Sequence, residues 1–251
     1  MIKTQSSVAV VIPAAGVGKR MQANCPKQYL TIANKTILEH TVERLLSHPQ
    51  VALVVLALGA KDEYFPQTSL FNHPKIQTVI GGKERVDSVL AGLKVIDHQQ
   101  YPWVMVHDAA RPCVTHDDIS KLINACLQQQ QGGLLASPVR DTMKQAAGDQ
   151  VDKTIDRSVL WHAFTPQMYL TETLIQAIEQ GLQQQWQITD ESSAIELAGS
   201  VSQLVEGRSD NIKITRHDDL ALASFILQQQ SIQAGITPQS QHIQQQELSC
   251  E

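Results

Sequence analysis

Acid is missing from the opening of this chain. No Asp or Glu precedes Glu39, whereas Lys3, Lys19, Arg20, Lys27 and Lys35 all fall in that stretch. A surplus of positive charge is missing overall: 20 Lys+Arg face 25 Asp+Glu, for a net charge of −5. An acidic chain lacks the basic face that a general nucleic-acid coat needs, so its early cations point to a small anionic ligand. Zinc spacing is absent too. Cys25, Cys113, Cys126 and Cys250 form no CxxC pair and have no neighbouring His at ligand distance, and they read as free thiols of a reducing cytoplasm. No apolar run of about 20 residues exists, which excludes a membrane-spanning helix. Met1 to Ser7 is polar and the apolar run after it is too short for a secretory leader, so a cytoplasmic location is expected.

What is present is an alternation. SVAVVIPA, VALVVLAL, IQTVIGG, WVMVHDAA and GLLASPV read as buried strands, several of them apolar throughout, as in a parallel sheet covered on both faces. Between them TILEHTVERLLSH, RVDSVLAGLKVI and DDISKLINACLQQQ carry helical stripes or acids suited to a helix N-terminus. Alternating β and α segments predict an α/β fold with a doubly wound, mostly parallel sheet. The 251 residues suit a single domain over 1–230 and a Gln-rich flexible tail over 231–251. Within the domain, residues of about 138–169 have turn signals between polar, mildly β-prone runs. Too few apolar side chains occur there for a core, so a protruding β-hairpin arm that packs on a second subunit is expected.

The cationic opening follows the first strand as PAAGVGKRMQANCPKQYL. A strand, a Gly-bearing turn and then cations is a general way to hold phosphate through backbone N–H groups and side-chain charge. A P-loop is excluded because Pro13 and Arg20 stand where Gly and Ser or Thr are needed. A dinucleotide fingerprint is excluded because Met21 occupies the third small position. A plain βα turn with solvated cations is the bland alternative.

Taken in chain order, PAAGVGKRM with CPKQYL, then GGKERVDSVLAGL, VHDAARP, PVRDTMK, TPQ, TDESSAIE and VEGRSDNIKIT resemble the 2-C-methyl-D-erythritol 4-phosphate cytidylyltransferases of isoprenoid precursor biosynthesis. The resemblance runs from about Val8 to Phe225 and implies a Rossmann-like nucleotidyltransferase sheet. It also implies attack by a substrate phosphate on the α-phosphorus of CTP, with pyrophosphate leaving. On that resemblance Arg20, Lys27, Arg157 and Lys213 are catalytic. Pro13, Ala14, Ala15, Gly16, Gly18, Gly82, Arg85 and Ser88 line the nucleotide. Asp108, Arg111, Thr142, Arg157, Thr165 and Lys213 hold methylerythritol phosphate, and Asp108 and Asp210 are the contacts expected for Mg²⁺. The partners implied are CTP, methylerythritol phosphate and a second copy of the chain in an arm-exchanged homodimer, with no nucleic acid and no membrane. Taken singly the residues have plainer readings: Asp108 as a turn cap, Ser88 as a mid-helix serine, Arg157 as a solvated cation. The acids of TDESSAIE are explained by helix-dipole complementarity. A cytidylyltransferase for another polyol phosphate, such as ribitol 5-phosphate, shares nearly every phosphate-handling residue. A non-catalytic nucleotide-binding regulatory module predicts replacement of the cations, yet all four are present.

Overall fold

The computed structural model describes residues 7–16 and 25–235. Among them the strands run, in chain order, β1 (Val8–Ala14), the short β2 (Thr31–Ile32) and β3 (Lys35–Thr36), β4 (Val51–Leu58), β5 (Ile76–Ile80), β6 (Trp103–Val106), β7 (Gly133–Pro138), β8 (Met143–Ala147), β9 (Gln150–Ile155), β10 (Trp161–Leu170) and β11 (Gln203–Glu206). The helices are α1 (Ile37–Leu46), α2 (Arg85–Leu93), α3 (His116–Gln129), α4 (Thr171–Gln183), α5 (Glu191–Leu197) and α6 (Asp218–Gln233). Seven strands share one sheet in the order β11-β7-β10-β6-β1-β4-β5. All neighbouring pairs are parallel except those of β10, which runs against both β6 and β7.

The fully apolar strands are apolar because both faces are covered. Along β1, Val8, Val10 and Ile12 pack with Leu56 and Met105 under α1 and α3, while Ala9 and Val11 pack with Val55 and Val104 under α2, α4 and α5. Helix α2 lies so close to β1 that a Cβ on Gly92 would sit 2.6 Å from Val11 Cγ1, which only glycine accommodates. A third cluster seats α6, through Ala223, Ile226 and Leu227, against Ile32, Ile37, Cys113 and Ile214. No helix among the described residues is long and apolar enough to cross a membrane.

Three expectations change. The independent hairpin is only β8 and β9, a separate two-stranded sheet whose residues are almost all exposed. Residues 161–170 are not part of an arm; as β10 they return to the middle of the sheet. That strand escapes a pattern search because two of its buried residues, Thr165 and Gln167, are polar. Its Pro166 also argues against a central strand, but the register with β7 shifts between Ala163 and Gln167, where no regular ladder is required. Second, β5 is an edge strand rather than a buried one, with Ile80 exposed. Third, α6 continues through Gln233, past the expected start of the tail; residues 236–251 lie outside the described part.

Helix α1 begins with a capping box in which Thr36 Oγ1 accepts from Glu39 N–H at 3.1 Å and Glu39 Oε2 accepts from Thr36 N–H at 2.8 Å. The other carboxylate oxygen of Glu39 accepts from Ser69 N–H and Oγ–H at 2.9 and 2.7 Å, clamping the 65–73 loop to the helix. Burial raises the Glu39 pKa, but these hydrogen bonds outweigh it and bring the group down to about 2. A carboxyl whose folded pKa lies below its unfolded value stabilises above the unfolded value and loses that stability as pH falls toward the folded one. Replacing Glu39 by Gln should therefore lower the urea midpoint at pH 7 by the equivalent of about 2–3 kcal/mol and flatten the decline in stability between roughly pH 4.5 and 2. An unchanged acid limb in the variant would refute the assignment.

Candidate active site

The chain leaves β1 for β4 on one side and later returns to place β6 on the other, so the crevice outside the carboxyl ends of β1 and β6 is the switch point of the sheet. A cleft of about 180 Å³ lies there, lined by the end of β1 and its loop (Pro13, Ala14, Ala15, Gly16), by Lys27, by Gly82 to Arg85 with Ser88, by Asp108 to Ala110, and by Lys213. Segments some 200 residues apart in the chain thus share one wall.

Local bonds hold each part in place. Gln28 Nε2 donates to Ala14 O at 2.7 Å, fixing the loop after β1 against the turn that carries Lys27, whose Nζ donates to Ile214 O at 3.1 Å. Ile214 N–H donates to Ala110 O, tying the Lys213 segment to the turn after β6. Ser88 Oγ accepts from Gly82 N–H at 3.1 Å and donates to Glu84 O at 3.2 Å, so it organises the 81–84 loop as well as facing the cleft. A Cβ at Gly82 would meet Asp87 Cβ at 2.1 Å, so this loop can fold back on α2 only with glycine there.

Asp108 is the electrostatic centre. Its Oδ1 accepts from Arg85 Nε at 3.1 Å, and its Oδ2 lies 3.3 Å from Arg111 Nε and 2.9 Å from Lys213 Nζ. Burial pushes the carboxyl up, but Arg85, then Lys213 and Arg111, hold it well below the usual carboxylate range. Arg85 also makes a bidentate pair with Glu191, at 2.7 and 3.1 Å, and its own pKa is raised by Glu191 and then Asp108 against the burial that lowers it. Arg111 reaches Asn211 O at 2.6 Å and stacks its guanidinium 5.2 Å from the Phe164 ring centroid.

Behind Asp108 sits His107, completely buried, its pKa pulled down to about 4 by burial, with Arg111 and Arg85 adding to the decrease. The structure therefore gathers Pro13, Ala14, Ala15, Gly16, Lys27, Gly82, Arg85, Ser88, Asp108 and Lys213 in one cleft. Arg111 and Thr165 lie directly beneath it, bonded to Asp108. Thr142 and Arg157 stand apart on the exposed hairpin segment, where Arg157 donates to the carbonyl of Arg140. Asp210 is not brought to the cleft; its carboxylate is held by Arg208 at 2.9 Å, beside a different groove along α6. Arg20 and Gly18 lie outside the described residues.

Several supporting groups went unread in the sequence. Of the acids of TDESSAIE, Asp190 does serve the helix start, its carboxylate capping α5 by accepting from Ser193 N–H at 3.0 Å. Glu191 instead turns inward to Arg85. Gln28, His107 and Asn211 are buried polar residues whose side chains reach other elements, Gln28 to Ala14 and both His107 and Asn211 to Thr165, and no local pattern announces them.

For a divalent cation, no cluster of three or more His, Cys, Asp or Glu able to hold a metal occurs among the described residues. Magnesium asks for one or two carboxylates and takes the rest of its shell from phosphate and water. Asp108, at the cleft wall, fits that demand for an ion arriving with a triphosphate.

An open, mostly parallel sheet with a cationic crevice at its switch point defines a nucleotide-handling α/β transferase. Within that class, residues 8–229 match the family model described as IspD, 2-C-methyl-D-erythritol 4-phosphate cytidylyltransferase, and the chain belongs to this family. It is similar to the 2-C-methyl-D-erythritol 4-phosphate cytidylyltransferase of Colwellia psychrerythraea, 58% identical over 88% of this chain and 95% of that protein. The enzyme of the same name from Aliivibrio fischeri is 56% identical, over 90% of this chain and 96% of that protein. Among solved structures, the Francisella tularensis 2-C-methyl-D-erythritol 4-phosphate cytidylyltransferase superposes with a TM-score of 0.77 at 38% identity, covering 88% of this chain and all of that one.

Asp108 neutralises cations that would otherwise repel one another in a partly dry site. Asp108→Asn should lower stability by about 2–3 kcal/mol at pH 7, toward the small end for a broken buried pair because Lys213 and Arg85 keep some water. Chemical denaturation would measure it, and a midpoint equal to that of the native chain would mean that solvent, not Asp108, balances those charges.

Proposed function

We propose that this chain transfers the cytidylyl group of CTP to 2-C-methyl-D-erythritol 4-phosphate, releasing pyrophosphate, in isoprenoid precursor biosynthesis. The observation that carries this reading is the convergence of residues 13–16, Lys27, 82–85, Ser88, Asp108 and Lys213 on one cleft at the switch point of a family-matched sheet.

A substrate phosphate oxygen forms a bond to the α-phosphorus of CTP while the bond from that phosphorus to the bridging oxygen breaks, and pyrophosphate leaves with the electron pair. A phosphomonoester has a second pKa of about 6 and is largely dianionic at neutral pH, so no side chain has to remove a proton. The protein's task is alignment and charge stabilisation. Lys27 and Arg20 serve the triphosphate, where charge grows on the α-phosphate and on the leaving group. The loop of Gly82 and Ser88 reads the cytosine edge, and mismatched bases would leave its polar groups unpaired. Lys213 and Arg157 orient the attacking phosphate, and Arg111, Thr142 and Thr165 serve the polyol. Magnesium, when bound, would neutralise triphosphate charge, with Asp108 as the protein's contribution in exchange for part of its ion pairing; Asp210 lines a different groove and is left out of this role.

The exposed, coreless hairpin and the separation of Arg157 and Thr142 from the cleft support an arm-exchanged homodimer. Metabolites of this kind, and a chain whose described helices cannot cross a membrane, suit the cytoplasm.

Pyrophosphate release with CTP, Mg²⁺ and methylerythritol phosphate, run beside ribitol 5-phosphate and beside ATP, GTP and UTP, tests the substrate assignment. Fast release only with the first pair is expected; equal release with ribitol phosphate would change the pathway. Lys27→Ala should lower kcat by roughly 100-fold or more, because a desolvated cation acting on the transition state is worth several kcal/mol. A rise confined to KM would move Lys27 to ground-state binding.

The arm has its own test. Arg157→Ala and Lys27→Ala chains, each inactive alone, are mixed, unfolded and refolded together. If an arm serves its partner's cleft, half the dimers are mixed and each has one intact site, so about a quarter of native activity returns. No recovery would mean that Arg157 serves its own cleft, and an Arg157→Ala chain already active alone would mean that it serves none.

A further inference from the structure

His107 takes part in a closed set of hydrogen bonds whose directions can all be assigned. Its Nε2 lies 3.0 Å from the carbonyl oxygen of Arg111, which can only accept, so Nε2 carries the proton. In the neutral ring Nδ1 is then bare and can only accept. Its neighbour, 3.0 Å away, is Thr165 Oγ1, which must donate its single proton to it. The same Oγ1 accepts from Asp108 N–H at 3.0 Å. A hydroxyl has one proton and two lone pairs, so Thr165 keeps one lone pair and no proton for anything else.

The framework around this relay is equally tied. Asn211 Nδ2 donates to Thr165 O at 2.9 Å, Arg111 donates from its guanidinium to Asn211 O, and Arg111 Nε faces Asp108. His107, Asp108, Arg111, Thr165 and Asn211 are all buried, so none of these bonds is readily exchanged for water.

We infer that His107 is a positioning residue for polyol recognition: its Nε2–H tautomer turns the Thr165 proton inward, leaving Thr165 able to meet substrate only as an acceptor, and its ring anchors the Asp108–Arg111 turn. This rests on the cytidylyltransferase reading, in which Thr165 serves the polyol. The ligand group it selects is a hydroxyl that donates; an ether or carbonyl at the same position would face a lone pair and be rejected. His107 touches neither substrate. It acts through Thr165 and Arg111.

Two measurements decide it. An imidazole-selective ¹H–¹⁵N correlation on the native protein should show His107 protonated at Nε2 and bare at Nδ1; a proton on Nδ1 overturns the inference whatever the enzyme's substrate proves to be. In kinetics, His107→Asn keeps an acceptor near Nδ1 and His107→Gln keeps a donor near Nε2, so each variant removes half of the relay. Both should raise KM for methylerythritol phosphate about tenfold, the equivalent of one net hydrogen bond, with KM for CTP changed by no more than about twofold. Combining His107→Gln, which loses the acceptor for Thr165, with Thr165→Val should add little to either alone. Circular dichroism at the assay temperature confirms that each variant is folded, so a merely structural role would leave both KM values alone or move them together. Either of those results overturns the proposal. A native protein that fails to couple CTP to methylerythritol phosphate would defeat the substrate reading instead, and the tautomer measurement would still stand.

Discussion

Three cations around one buried carboxylate is the arrangement on which the rest of this molecule depends. Arg85, Arg111 and Lys213 come from α2, from the turn after β6 and from the segment before α6, and they meet only at Asp108. A cleft for polyanions needs such cations, yet without ligand they repel one another across a few ångströms in a medium less polar than water. Asp108 and Glu191 offset that repulsion in the free protein. Their presence lets the positive groups be held in position before any phosphate arrives, which is what electrostatic preorganisation requires.

The sheet explains why the meeting point falls where it does. β1 and β6 end side by side, and both are buried by packing on two faces, so the loops that leave them start from fixed points. Gln28 locks the first loop to Ala14, Ile214 locks the distant Lys213 segment to Ala110, and Thr41 Oγ1 donates to Ala109 O from α1. Each cation is thus referred back to the same two strands. Core packing and site geometry are one constraint seen at two depths.

What was legible in the sequence follows from this. VALVVLAL, SVAVVIPA and GLLASPV announce themselves because burial on both faces leaves Ser137 as the single polar residue within these strands. β10 does not, since Thr165 and Gln167 are buried through hydrogen bonds to His107, Asp190 and Ser192 that no local pattern encodes. The same reason separates the visible and invisible parts of the site. Residues that line the cleft sit in short motifs, and Lys27, Gly82, Ser88, Asp108 and Lys213 gather there. Residues that face other residues, such as Glu191, Gln28 and Asn211, depend on partners in other elements. Glu191 shows the hazard directly: an acid at the start of a helix satisfies a sufficient local explanation while its carboxylate answers to Arg85 on another element.

On the proposed reading the two substrates are served unequally within one chain. On the nucleotide side the described walls form a connected set, with the 81–84 loop bound to Ser88 and the loop after β1 bound to Gln28. Of the residues proposed for the polyol, Lys213, Arg111 and Thr165 lie at or beneath the cleft, but Thr142 and Arg157 stand on a hairpin segment whose shape is set by its own ladder and by the Arg157 contact to Arg140. A hairpin without apolar packing has no reason of its own to protrude in one direction, because two strands alone are marginal in water. On the proposed reading its direction is set by the copy it reaches, and the polyol half of each site then exists only in the assembled pair. Such a protein would bind CTP as a monomer and turn it over only as a dimer, which makes association a condition of chemistry rather than of folding.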